Sequence, residues 1–402
     1  MSRYFPYCPE QGYLVPPRVD EVLGWDHLCF LVHQVVERLD LSRFEEAYAP
    51  EGGMLYHPSL MLKVWLYAYA LGVTSSRRLE QRIREDLAFR YLAGNAQPDF
   101  WALNAFRRRH GRAINDCFTQ VVEMARGLGL RQMGMVAIDA TRIKASASPD
   151  KVRLEARAER ARTRRKIRGW QQACDGDDAN EGAGRSVGEA IERIGHAPVE
   201  LKPLPRPARS GSAKPAPVKR SLTDPEARFL RTRGGRFVLG YTGEIAVSEN
   251  HLIVAQRVTQ AGHENDSLVA MVDLVQQTCG SPPGSVVADS GYYSNRNVQQ
   301  MEARHIEAYV PDSNMARELN LGQQADDLRF RDPCLLRMRE KMRSERGRHR
   351  YLQRKATVEP VFGVLKEQRN LNRFRMRSID KVAIEWALAT TAYNLTRLHK
   401  LR

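Results

Sequence analysis

Three short stretches of the chain place carboxylates where a catalytic site could use them. GMVAIDATRIKASAS (134–148) is an apolar run that ends on Asp139, VVADSGYYSN (286–295) stops in the same way on Asp289, and RKATVEPVFGVLKEQRN (354–370) sets Glu359 just before Pro360. An unpaired buried carboxylate costs on the order of several kcal/mol, so each Asp must meet a cation or lie at a rim where one can reach it. Two or three convergent carboxylates supply the hard oxygen ligands that Mg²⁺ takes at about 2.0 to 2.1 Å. Two such ions about 3.5 to 4 Å apart can activate an attacking oxygen and stabilise a leaving one in an in-line phosphodiester displacement. Taken singly, each acid also has a plainer use: a strand-end cap or ion-pair partner for Asp139 and Asp289, and an ordinary first-turn glutamate for Glu359.

The elements that must position these acids alternate in type. The 134–139 run reads as a strand, and RFVLGYTGEIAVSENHLIVAQRVTQ (236–260) reads as two β-rich runs turning at Glu249 and Asn250, a hairpin signal. A helix DSLVAMVDLVQQTC, the strand ending on Asp289, a helix NRNVQQMEARH and a short strand EAYVP follow, then a polar, basic 312–350 and two closing helices. The predicted fold is α/β, a mixed sheet in which the hairpin continues the first strand. Sites in such sheets form at the carboxyl ends of strands, which makes Asp139 and Asp289 expected neighbours. Pro360 lacks an N–H and belongs in a first turn, which puts Thr357 near an N-cap and Glu359 at a helix N-terminus, with Lys366 on the same face. Val358, Val361, Phe362 and Leu365 form the apolar stripe that would dock this helix on the sheet.

Upstream, residues 1–130 read as an all-helical domain. HPSLMLKVWLYAYALG has Pro58 where a first turn tolerates it and Gly72 where a helix would stop, a second helical stretch ends on Gly94, and Asp99 is placed to cap PDFWALNAFRRRH. Residues 134–149 and 221–402 form the expected α/β domain. Between them, 150–220 reads as an excursion, basic and helical at first, then loose and rich in Pro and Gly.

The charge balance narrows the partner. With 63 Lys plus Arg against 47 Asp plus Glu and a net charge of +16, the 402-residue chain favours a polyanion. The apolar runs 60–73 and 382–395 fall short of the roughly 20 residues a membrane span needs, and the start lacks a signal-peptide pattern, so a cytoplasmic, nucleoid-associated protein is expected. Six scattered cysteines form no CxxC pair, which argues against a zinc ribbon and for reduced, packed thiols. His263, Glu264 and Asp266 could suggest a second metal site, but Asn265 or Asp266 reads more simply as the N-cap of the next helix.

Basic and aromatic residues surround the acids. Arg142 and Lys144 follow Asp139 and could hold a phosphate or simply line a solvated strand edge; Arg107, Arg108 and Arg109 end a short helix as in a DNA-reading helix-turn-helix, or form a generic solvated helix end. Tyr292 and Tyr293 lie where rings could stack on unpaired bases, with core packing the preferred role for at least one.

The stretches GMVAIDATRIKASAS, YTGEIAVSENHLIVAQRVTQAGHENDSL, VVADSGYYSN and YLQRKATVEPVFGVLK together resemble the DDE transposases of bacterial insertion sequences, and the helical N-terminal segment resembles the domain that precedes their core. The resemblance covers nearly the whole chain outside 150–220. It implies an RNase H-like catalytic domain, with Asp139, Asp289 and Glu359 as the metal-binding acids and two Mg²⁺ ions, Mn²⁺ substituting, as cofactors. It also implies DNA contacts by Tyr351, by Arg354 or Lys355, and by Lys366. The Tyr–Arg–Glu–Lys spacing departs from much of the wider superfamily, since Arg354 stands five positions before Glu359 and Lys355 four, which leaves both open. The implied reaction is hydrolysis at transposon ends followed by attack of the freed 3′-OH on target DNA. The implied partners are double-stranded DNA with terminal inverted repeats, target DNA and a second copy of the chain in a homodimer, with no membrane and no nucleotide cofactor. The rival reading is a non-catalytic DNA-binding regulator derived from such an enzyme. A haloacid-dehalogenase phosphotransferase is disfavoured because IDAT lacks the second Asp of that signature.

Overall fold

A computed structural model describes residues 18–46, 55–127, 134–148, 152–155, 218–232, 234–322 and 332–401. Most of the 150–220 excursion, Cys8 and Cys174 therefore lie outside the described residues. The chain divides into two compact units, one formed by Met1–Ser146 with Glu226–Arg402 and the other by Ala147–Pro225. In the smaller unit, β2 (Val152–Glu155) and β3 (Val218–Ser221) pair as an antiparallel ribbon.

The larger unit begins with eight helices among its described residues: α1 (Val19–Val22), α2 (Leu28–Val36), α3 (Ser42–Glu45), α4 (Pro58–Ala70), α5 (Ser76–Glu85), α6 (Leu87–Leu92), α7 (Phe100–Arg109) and α8 (Gly111–Gly127). The punctuation expected from the sequence acts as expected: Pro58 opens α4, Gly72 and Gly94 adopt left-handed φ of 73° and 54°, and Asp99 accepts the Ala102 N–H at 2.7 Å. Asp86 splits the second stretch by capping α6 through the Ala88 and Phe89 amides.

A mixed sheet follows. Its strands are β1 (Met135–Lys144), β4 (Arg228–Arg231), β5 (Phe237–Ser248), β6 (Ile253–Thr259), β7 (Ser285–Ala288) and β8 (Glu307–Tyr309), in the order β4-β5-β1-β7-β8 with β6 also on β5. β5 runs antiparallel to β1 and β6, which is the expected hairpin, whereas β7 runs parallel to β1 and β8 parallel to β7. Gly240 is required where β5 crosses the end of β1, because a Cβ there would lie 2.0 Å from the Ile143 carbonyl oxygen. The remaining helices are α9 (Ser267–Cys279), α10 (Asn295–Ala303), α11 (Ser313–Leu321), α12 (Pro333–Arg343), α13 (Glu345–Gly363) and α14 (Ile379–Leu401).

α14 is the spine of the unit. From Val382 to Leu395 it is buried nearly all round, as a helix enclosed by its own protein must be. It packs on α4 and α8 on one side and on β6 on the other, so the helical segment and the sheet share one core. Asn394 clamps β6 by accepting the Ile253 N–H at 2.9 Å and donating to its carbonyl at 2.8 Å. The four described cysteines, Cys29, Cys117, Cys279 and Cys334, are buried free thiols. Among the described residues no helix is long and apolar enough to cross a membrane.

Candidate active site

The parallel pairing of β1 with β7 ends at Ile138 and Ala288, so Asp139 and Asp289 are the next residue on each of two adjacent strands. The expected neighbourhood of these two acids is thus present, with one correction. Asp139 does not end its strand, because β1 runs on to Lys144 against β5. The apolar run stops at Asp139 because the sheet loses its β7 neighbour there, leaving a polar edge on that side.

Asp139 is nearly fully buried. Its Oδ1 accepts the Ala140 N–H at 2.8 Å, and its Oδ2 accepts from Arg354 Nη1 at 3.0 Å. Asp289 caps the 3₁₀ turn Ser290–Tyr292, accepting the Gly291 N–H at 3.0 Å. Gly291 is needed for that approach, since a Cβ would meet Glu264 Oε2 at 2.7 Å and Asp289 Oδ1 at 3.1 Å. Glu264 therefore stands beside Asp289, with its other oxygen accepting from Arg142 at 2.6 Å.

Tyr292 is fully buried, and its hydroxyl has no hydrogen-bond partner. Burial pushes this phenol well above the ordinary tyrosine range, and the charges of Glu244, Asp139, Asp289 and Glu264 push it further. Packing is its role, and stacking on a DNA base is excluded for a ring with no exposed surface. Tyr293 is half-buried and donates to Asn295 at 2.9 Å.

Sequence reasoning missed Glu244 and Arg257. They are cross-strand partners in the hairpin, with Arg257 Nε and Nη2 donating to Glu244 Oε2 at 2.9 and 2.7 Å. The legible signal was an acid and a base at matched depth in the two arms of an otherwise apolar hairpin.

The helix carrying Glu359 differs from expectation. α13 starts at Glu345, so Glu359 is deep in a 19-residue helix and Pro360 is internal rather than in a first turn. The docking stripe is Gly347, Tyr351, Arg354, Val358 and Val361, and Glu359 lies to its side and is exposed. Among the described residues no group of three or more His, Cys, Asp or Glu side chains is close enough to hold a metal ion. That statement covers His263, Glu264 and Asp266 as well; Asp266 occupies the N-cap position of α9 without a side-chain cap bond.

Several expected DNA contacts also fall elsewhere. Arg107 is buried: it donates to the Tyr69 hydroxyl at 3.2 Å and the Thr74 carbonyl at 3.1 Å, and lies 4.4 Å over the Trp65 ring. The sequence placed it at a DNA-reading or solvated helix end, but the buried carboxylate of Glu385 required a cation within the core. Arg108 is half-buried and Arg109 exposed. Tyr351 and Arg354 are buried, with the guanidinium 5.7 Å from the Tyr351 ring, so neither presents a surface to DNA here. Arg142 is tied to Thr242, Gly262 and Glu264 rather than free for a phosphate. Lys144 and Lys355 are exposed, the latter donating to Asn320 at 2.8 Å, and Lys366 is half-buried in the π-helical turn after α13.

Asp139 and Asp289 follow in register at the β1–β7 edge, and their carboxylates are the hard oxygen donors a divalent cation takes. Residues 213–395 match the transposase DDE domain family and residues 18–109 match a transposase domain, together well over half of the chain. The chain belongs to the insertion-sequence DDE transposases. The mixed sheet with its hairpin is accordingly the RNase H-like fold of that family. The first match contains Asp289 and Glu359 and begins after Asp139, whereas the second contains Arg107, Arg108 and Arg109. Transposases of this kind act on DNA and in general use divalent metals. No curated protein matches the chain, and no solved structure does.

Proposed function

We propose that this transposase hydrolyses the phosphodiester at each end of its element and then directs the freed 3′-OH into target DNA. The observation that carries the reading is the placement of Asp139 and Asp289 at consecutive register positions where the β1–β7 pairing stops. In this reading Asp139, Asp289 and Glu359 hold Mg²⁺, with Mn²⁺ as a substitute. When bound, a pair of such ions activates the attacking oxygen and balances charge on the leaving one.

The protein's own groups set the stage for that chemistry. The Gly291 amide fixes Asp289, and the Ala140 amide fixes one oxygen of Asp139. Glu359 joins from the exposed flank of α13. Arg108, Arg109, Lys144, Lys355 and Lys366 supply the solvent-reaching positive charge that would meet DNA phosphates. No enzyme nucleophile is required, since water and then DNA provide the oxygen. The substrates are duplexes with terminal inverted repeats and a target duplex, bound by a homodimer that cuts two ends together, without a nucleotide cofactor. Such a protein works in the cytoplasm at the nucleoid.

The test is cleavage of a duplex carrying the element's termini, in Mg²⁺ or Mn²⁺, by wild type, Asp289→Asn and Glu359→Gln. Binding retained with cleavage lost supports the reading; equal cleavage by wild type and Asp289→Asn overturns the metal role of Asp289.

A further inference from the structure

Arg354 is buried in the DNA-free chain, and it touches the acid that the proposed chemistry needs most. Its side chain is 4% exposed and that of Asp139 5%, with Nη1 on Oδ2 at 3.0 Å. Oδ1 of Asp139 accepts the Ala140 amide and Oδ2 accepts from the guanidinium, so a metal ion that binds through Oδ2 meets Arg354 there. The guanidinium is not fully satisfied there. Its Nε is buried and has no hydrogen-bond partner, so the pair lacks the two-pronged fork that makes an arginine–carboxylate contact strong. Among the described residues Glu264 pairs with Arg142 and Glu244 with Arg257, while Arg354 pairs with Asp139.

We propose that Arg354 is a resident counter-cation for Asp139, competing directly with the divalent ion for Oδ2, so that metal enters only as the guanidinium leaves. The proposal rests on Asp139 being a metal ligand. It makes Arg354 a positioning residue: in the metal-free protein it pairs with a buried carboxylate and holds it aimed, and it lowers apparent metal affinity by the fraction of molecules in which it stays in place. An anion that draws Arg354 away raises metal affinity, and by linkage metal raises affinity for that anion. A DNA phosphate has the chemistry to do so, since it accepts a guanidinium fork and would also satisfy Nε.

The experiment is Mn²⁺ binding to the full-length protein without DNA, read by loss of the six-line electron paramagnetic resonance signal of free Mn²⁺. Wild type, Arg354→Gln, Arg354→Lys and Asp139→Asn are compared, with circular dichroism to check folding. Arg354→Gln is expected to bind at least about tenfold more tightly than wild type, as removal of a competitor present nine-tenths of the time requires. Arg354→Lys keeps the charge but loses the planar reach, so its affinity should fall between the two; affinity at the wild-type value in Lys alone would mark a field effect and overturn direct competition. Should Arg354→Gln not fold, Arg354→Lys carries the test by the same comparison. An Arg354→Gln protein that binds no more tightly than wild type, while Asp139→Asn weakens binding, overturns the competition and leaves the metal reading intact. Unchanged binding by Asp139→Asn overturns the metal role of Asp139 and the competition with it.

Discussion

Replacing Arg107 with Met should destabilise the fold itself rather than merely weaken its hold on DNA. Glu385 on α14 is fully buried; its Oε2 accepts the Arg375 and Met376 amides at 2.7 Å each, and its Oε1 accepts the Tyr69 hydroxyl at 3.2 Å. Arg107 completes this cluster from α7, 3.8 Å from Oε1 and bonded to the same hydroxyl. Removing the guanidinium leaves a carboxylate with no counter-charge in the core and strands the Thr74 carbonyl. Breaking a buried pair from one side costs about 3 to 5 kcal/mol. In a unit of this size that corresponds to a fall in Tm of about 6 to 10 °C. Burial already raises the Glu385 carboxyl above its ordinary value, with Arg107 opposing the rise, so the variant raises it further. A carboxyl whose folded pKa exceeds its unfolded value adds stability at low pH and loses it as pH rises, so the deficit should grow as pH rises above the ordinary carboxylate range. Denaturant melts of Arg107→Met, Glu385→Gln and the double variant provide the assay, and the double variant should recover part of the loss. The reasoning fails if Arg107→Met melts within about 1 °C of wild type, a result that would fit a surface phosphate contact.

Three further outcomes are expected. His110 is buried against Phe44 and Phe106, and burial, with Arg109 adding to it, lowers its pKa to about 4. The folded state resists protonation, so stability present above pH 6.5 should be lost as pH falls toward 4, by about 2 to 3 kcal/mol, and His110→Gln should flatten that slope in urea melts taken at each pH. Gly240→Ala forces a Cβ onto the Ile143 carbonyl, and a loss of about 2 kcal/mol or more with weakened amide protection in β1 and β5 is expected from hydrogen exchange. Asn394→Leu strands the amide and carbonyl of Ile253, and about 2 to 4 kcal/mol should be lost in denaturant melts without any change in DNA affinity.

The sheet was readable at its centre because two strands announce themselves twice, by apolar runs and by the acid that closes each run, Asp139 and Asp289. Asp139 and Asp289 could be paired from strand order alone, since a parallel neighbour brings the same end of each strand to the same edge. The start of α13 was hidden by chemistry. Its docking stripe includes Gly347 and Arg354, so a search for apolar residues at helical spacing begins only at Val358, and Pro360 then imitates a first turn. The 312–350 region reads as polar for the same reason: Arg339 and Arg343 bury their stems while pairing with Asp312 and Glu318. Arg107 misled in the opposite direction. Three consecutive arginines look like a DNA-facing end, yet the partner that draws the first inward lies 278 residues away (385 − 107).

The two ends of the smaller unit leave the sheet from one place. The Ser146 carbonyl accepts from Arg377, and the Glu226 carboxylate accepts the Ile379 amide, so both departure points are fastened to the entrance of α14. Loop closure entropy rises only with the logarithm of length, so lengthening, trimming or exchanging that stretch changes folding free energy little once its ends are fixed. For this protein, a change of length between residues 147 and 225 should therefore leave the register of β1 and β7, and with it the placement of Asp139 and Asp289, as it is.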